Sequence, residues 1–217
     1  MLKHDLNTPY EEKKTKQSFN YFCYNKLAII WHFTVAEGGK MSTESLAGYS
    51  SDLLTFSNET TQSIIKNLQD FVPDAGESQI TAWRDSISIL KKTVDKLIDL
   101  YSAESEKNSI ILEYTVPLES RRIDAILLLN GTVIVIEFKG KYDVSQADID
   151  QASAYTRDLI AYHKECHNIP VKCALVLTRY EGEPQKHDLV DVLGPNNLVN
   201  YFRSSIQLVK APNLDDF

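Results

Sequence analysis

Asn130-Gly131 stands between two apolar runs, Arg122-Ile-Asp-Ala-Ile-Leu-Leu-Leu and Thr132-Val-Ile-Val-Ile-Glu-Phe-Lys. Both residues of an Asn-Gly pair tolerate the positive φ of a type I′ turn, so the dipeptide predicts a tight hairpin. The turn also sets a register. With Leu129 opposite Thr132, stepping back along both strands brings Asp124 opposite Glu137. Strand side chains alternate, which expects Glu137 and Lys139 on the face of Val133 and Val135, and Asp124 on the face of Ile126 and Leu128. A charge inside runs this apolar is costly to bury unless it is paired or holds a metal. Directly opposed carboxylates also repel. They are most naturally kept together by a hard divalent cation such as Mg²⁺, which takes oxygen ligands. Such an ion supports hydrolysis by activating water, and Lys139 supplies a movable positive charge for water or a phosphate oxygen. The geometry alone therefore expects a site for metal-assisted hydrolysis of a phosphodiester.

The other segments frame this hairpin. Met1 to Gln17 reads as a polar arm, and Tyr21 to Ala36 is apolar with an ambiguous period. Helices are expected over Met41–Thr55, over Asn58–Phe71 (stopped by Pro73) and, most clearly, over Thr81–Tyr101. In the last, Trp83, Ile87, Leu90, Val94, Leu97 and Tyr101 recur at three- and four-residue steps. Ser109–Pro117, Arg122–Leu129 and Thr132–Lys139 are strand-like. A helix over Gln146–His163 follows, with Ser145 placed to cap it. Val171–Thr178 reads as a strand covered on both faces, and a weaker strand at Val190–Leu193 and a short helix after Pro195 complete the pattern. The order is that of an α/β core in which a three-stranded meander precedes a crossover helix and a further strand.

At these residues the chain resembles a known family. Asp124, then Glu137-Phe138-Lys139, in strand–strand–helix–strand order, looks like the PD-(D/E)XK nuclease superfamily, with Ile123 where the motif's proline usually stands. Gln151-Ala-Ser-Ala-Tyr155 is similar to the Gln-x-x-x-Tyr motif of its RecB-type members. The resemblance covers about Ser109 to Thr178. More loosely, Gln79-Ile-Thr-Ala-Trp83-Arg84, Glu113-Tyr114-x-x-Pro117-Leu118 and Arg122-Ile-Asp124 look like the N-terminal nuclease-like domain of bacterial proteins that carry a superfamily-one helicase. It implies a restriction-endonuclease-like core (α-β-β-β-α-β, a mixed sheet flanked by helices) over 79–217, with an N-terminal helical extension over 1–78. Asp124 and Glu137 would hold Mg²⁺ or Mn²⁺, with Glu113 and the Phe138 backbone carbonyl as further candidate ligands. Lys139 would complete the catalytic set, and Gln151 and Tyr155 would position the DNA strand or the metal site. Arg121 and Arg122 either grip phosphate or flank a strand end, and Glu113 is either a ligand or an outward strand residue. The implied partners are DNA and a helicase or ATPase in cis or in trans, and a homo-oligomer is compatible. A setting in phage defence rests on association alone.

Composition trims the alternatives. Hydrophobic residues are 43% and charged residues 24%, an ordinary globular balance. Three cysteines, an odd number, fit a reducing cytoplasm better than a disulfide framework. No run has the length of a membrane span. Gly38-Gly39-Lys40 lacks the rest of a phosphate loop, and His163 and His167 lack a second ligand pair for zinc. The net charge of -7 excludes a protein that coats nucleic acid by charge alone. The competing expectation is a non-catalytic nuclease-fold module that binds DNA or a partner protein.

Overall fold

A computed structural model describes residues 33–37, 40–44, 46–100, 108–116, 121–163 and 166–205. Strands β1 (Phe33–Glu37) and β2 (Lys40–Glu44) pair antiparallel in a two-stranded sheet of their own. Next come β3 (Ala47–Asp52), α1 (Leu53–Asn58), α2 (Thr61–Phe71) and α3 (Glu77–Leu100). The meander is β4 (Ser109–Thr115), β5 (Arg122–Leu129) and β6 (Thr132–Lys139), followed by α4 (Gln146–Tyr162) and β7 (Val171–Leu177). The chain closes with β8 (Gln185–His187), β9 (Val190–Leu193), a 3₁₀ turn (Pro195–Asn197) and α5 (Leu198–Ser205).

The main sheet has seven strands in the order β3-β4-β5-β6-β7-β9-β8. It is antiparallel from β3 to β6, parallel from β6 through β7 to β9, and antiparallel again at β8. Two apolar layers cover it. Ile134, Ile136, Ala174 and Val176 pack under α1, α2, α3 and α5. Val133, Val135, Cys173 and Leu175 pack under α4. Strands β6 and β7 are thus buried on both faces, which is why they read as unbroken apolar runs. Burying each large aliphatic side chain there contributes about 1.5–3 kcal/mol. Among the described residues, no helix is long and apolar enough to cross a membrane.

The sheet is seeded as the turn chemistry predicts. Asn130 and Gly131 both take positive φ (43° and 78°), and Leu129 pairs with Thr132. Ser145 caps α4 in a reciprocal box with Asp148, whose carboxylate also takes Lys141 at 2.8 Å. One expected helix is corrected. Met41–Thr55 is β2 and β3, with α1 beginning only at Leu53. The stretch is rich in Ser, Thr, Gly and Tyr and carries no apolar stripe. Strand β2 pairs with β1 and β3 with β4, and Asp52 then caps α1 by accepting the Thr55 N–H. The extension before residue 79 is therefore partly strand, and β3 belongs to the main sheet. The expected features at Met1–Gln17 and most of Tyr21–Ala36 lie outside the described residues.

Candidate active site

The hairpin register carries the acids to one level of the sheet. Ladder pairs run from Leu129↔Thr132 to Ala125↔Ile136, and there the β5–β6 ladder ends. On the other side, Leu112↔Ala125 and Tyr114↔Ile123 leave Glu113 level with Asp124. Ala47↔Tyr114 and Tyr49↔Leu112 leave Gly48 level with Glu113. Gly48, Glu113, Asp124 and Glu137 thus form a row across four strands. The row is crowded at its edge: a Cβ on Gly48 would stand 2.8 Å from Leu68 Cδ2 and 3.3 Å from Glu113 Cβ.

Alternation breaks at this level. Glu113 has a φ of 52°, a left-handed conformation unusual for a residue other than glycine. Before it Ile110 and Leu112 face one layer, and after it Tyr114 faces the other. On β5, Ala125 and Leu127 face the first layer while Ile123 joins Ile126 in the second. The expectation that Asp124 shares a face with Ile126 and Leu128 is corrected by this switch. Asp124 instead lines a cleft with Leu112, Trp83 and Ile87 of the opposite layer. Its Oδ2 accepts the Phe138 N–H at 2.8 Å, replacing the strand bond that would come next in the ladder. An extended residue points its N–H and C=O to the same side, so the Phe138 carbonyl also faces the gap where β5 and β6 part.

Glu137 and Lys139 lie as expected with Val133 and Val135, towards α4. Glu137 is buried, and its Oε1 accepts from Lys139 Nζ at 2.9 Å and from Gln151 Nε2 at 2.9 Å. Lys139 Nζ also donates to Gln151 Oε1 at 3.1 Å, and Gln151 Nε2 donates to the Tyr155 hydroxyl at 3.0 Å. Gln151 and Tyr155 are one turn apart on α4, which gives them this shared face. Lys139 also borders the cleft, while its Nζ is bonded to Glu137 and Gln151 on the α4 side.

The charges are under strain. Desolvation, then repulsion by Glu137, pushes the Asp124 carboxyl well above its usual range, with the Phe138 N–H partly offsetting it. Desolvation raises Glu137 too, against the pull of Lys139. Burial disfavours the Lys139 ammonium, but Glu137 beside it prevails and holds the pKa above that of an ordinary lysine. Lys139 is therefore a cation at neutral pH, able to donate hydrogen bonds and not to take a proton.

Glu113 is buried and both its oxygens are engaged. Oε1 accepts from Trp83 Nε1 at 2.8 Å and Oε2 from Arg122 Nε at 2.8 Å. Arg122 thus balances an acid of the row. Arg121 reaches α4, bonding Asp158 at 3.3 Å with its guanidinium over the Tyr155 ring. The sequence places Trp83 in the apolar stripe of α3 and does not announce its bond to Glu113. A buried indole needs an acceptor for its N–H, and that requirement is the signal that points to an acid nearby.

A divalent cation suits part of this arrangement. Glu137 Oε2 is buried and has no hydrogen-bond partner among the described residues. A carboxylate oxygen left so is costly unless something positive meets it. No group of three or more His, Cys, Asp or Glu side chains among the described residues is arranged to hold a metal. Asp124, on the cleft side, and Glu137, towards α4, stand at one level of neighbouring strands and are the oxygen donors a hard cation such as Mg²⁺ would draw on. No protein-family model matches the chain, and no curated protein sequence matches it.

Proposed function

We propose that the protein is a metal-dependent nuclease that hydrolyses phosphodiester bonds in DNA, built on a PD-(D/E)XK-like site. The observation that carries this reading is the buried, unpartnered Glu137 Oε2 at the level of Asp124, beside a lysine held protonated. Two acids with raised pKa values next to a fixed cation form an arrangement more often kept for chemistry than for stability. Asp124 and Glu137 would hold Mg²⁺ or Mn²⁺, with the Phe138 carbonyl as a further oxygen. When bound, the ion supplies charge neutralisation at the phosphate and a more acidic water. Lys139 donates to a phosphate oxygen and stabilises the charge that develops there. Gln151 clamps Lys139 and Glu137 together, and Tyr155 sets the orientation of Gln151. Glu113 stays out of the metal set, held by Trp83 and Arg122, and adds negative potential that favours the cation.

Incubation with linear and circular DNA, single- and double-stranded, in Mg²⁺, Mn²⁺ or EDTA tests the reading. Cleavage that needs the metal and is lost in Asp124→Ala and Lys139→Ala is expected. No cleavage of any substrate, or cleavage by both variants at the wild-type rate, overturns it. Binding of DNA without cleavage, and no Mn²⁺ binding by calorimetry, would instead mark a non-catalytic nuclease-fold module. A helicase or ATPase partner and a role in phage defence belong to the same proposal and rest on the sequence resemblance.

A further inference from the structure

The cleft that Asp124 and Lys139 line is bounded by the sheet on one side and by α2 and α3 on the other. Its volume is about 200 Å³, enough for one ring system. Leu68, Trp83 and Leu112 close it with little surface showing, Phe138 is half-buried at its wall, and its exposed lining is mostly polar. The α3 side changes character along the helix. The stripe is large and apolar from Ile87 onward, but Gln79 and Ser86, on the same helical face as Trp83, are polar and half-buried. Ser86 Oγ is occupied by the Ala82 and Trp83 carbonyls. The Gln79 carboxamide has no hydrogen-bond partner among the described residues, although it lines the cleft. Ala82, exposed at the rim, keeps the mouth open.

The floor sorts what can enter. Glu113 and Asp124 repel a phosphate, while an uncharged ring meets no such penalty and can lie against Phe138. Lys139 borders the cleft with its Nζ held by Glu137 and Gln151, a cation beside the cleft for a phosphate that stays outside it. We infer that the cleft seats one unpaired nucleobase of the bound strand, with Gln79 reading its edge and the adjoining phosphate directed to Lys139. This rests on the nuclease reading and adds to it a base-recognition subsite that selects unpaired DNA. A glutamine amide can donate and accept together against adenine N6 and N7, so adenine is the base Gln79 favours. Packing of the base against Phe138, the half-buried aromatic ring of the cleft, supplies sequence-tolerant affinity.

The test is fluorescence anisotropy of the full chain in EDTA, with labelled single-stranded oligo(dA), single-stranded oligo(dT) and a duplex of the two. Wild type is expected to bind the single strands more tightly than the duplex, and oligo(dA) more tightly than oligo(dT). Ala82→Leu, which fills the mouth from an exposed helical position, is expected to weaken single-strand binding about five- to tenfold and leave duplex binding unchanged. Gln79→Ala is expected to abolish the adenine preference alone. Tighter binding to duplex, or wild-type single-strand binding by Ala82→Leu, overturns the inference. If Ala82→Leu fails to melt cooperatively, retention of the adenine preference by Gln79→Ala overturns it instead. Because binding is read without metal, loss of cleavage would sink the nuclease reading and leave this result standing, and the reverse outcome separates them equally.

Discussion

Asp124 costs the fold stability. A carboxyl whose folded pKa lies above its unfolded value binds its proton more tightly in the native state. The native state is then penalised increasingly as pH rises from the ordinary carboxyl range through the raised value. Desolvation and Glu137 place Asp124 in that position. Asp124→Asn removes the charge and keeps an oxygen to accept the Phe138 N–H. It is expected to raise the melting temperature in EDTA by roughly 2–4 °C, corresponding to about 1 kcal/mol for a chain of this size, while abolishing cleavage. An equal or lower melting temperature would show that the acid is not strained. In EDTA the wild type is expected to gain stability as pH falls from neutral towards the ordinary carboxyl range, and Asp124→Asn to gain less. Circular dichroism melts across that range decide it. Asp124, Glu137 and Lys139 were legible because each interrupts an apolar run whose register a two-residue turn dictates. The face of Asp124 was not legible, because alternation presumes extended geometry. Nothing in Leu112-Glu113-Tyr114 marks a left-handed residue, for neither glycine nor asparagine stands there.

Short elements survive here by borrowed bonds. Helix α1 has only 6 residues, and its carboxyl end is tied by Lys91 of α3. Lys91 Nζ donates to the carbonyls of Phe56 at 2.7 Å, Ser57 at 2.9 Å and Glu59 at 2.6 Å. It also lies over the Phe56 ring, 5.2 Å from its centre. Lys91→Met keeps the stem and leaves those carbonyls without the ammonium. A loss of about 1.5–3 kcal/mol is expected in urea unfolding, with the slope unchanged. Gly48→Ala acts at the sheet edge. Its Cβ meets Leu68, which is 1% exposed and has no room to retreat. A cost of about 1–3 kcal/mol is expected from the same measurement, and a neutral result would show that α2 yields. Helices α3 and α4 were legible from stripe and cap. Strand β3 was hidden because its pleated residues are small and polar, and β8 because Gln185-Lys186-His187 offers no apolar alternation.

At the scale of the whole molecule, the net charge of -7 limits grip on DNA. Few cationic groups stand clear of acids at the site: Arg122, Arg121 and Lys141 are paired with Glu113, Asp158 and Asp148. DNA binding is expected to be weak and to fall steeply between low and physiological salt, as counterion release requires. Divalent ions act in the other direction. A cation that binds only the folded state raises stability by about 2.7 kcal/mol at a hundred times its Kd. Mn²⁺ and Mg²⁺ are expected to raise the melting temperature of the wild type by several degrees and that of Asp124→Asn by much less. A shift of equal size in both would place the ion elsewhere. The α/β class and the succession of meander, crossover helix and further strand were legible from periodicity and the Asn130-Gly131 turn. The cleft was not, because it arises where α3 changes from small to large side chains against a sheet whose facing had itself switched.

The Phe138 amide gives the site a reporter of its own. Its neighbours in β6 hold their protons in strand ladders and exchange with solvent deuterium only when the sheet opens. The Phe138 proton is instead held by one carboxylate oxygen. Its exchange rate and amide chemical shift follow whatever Asp124 does, whether it takes up a proton or is drawn towards a cation. One backbone resonance therefore separates a ligand that reaches the acids from one that only lies in the cleft beside them.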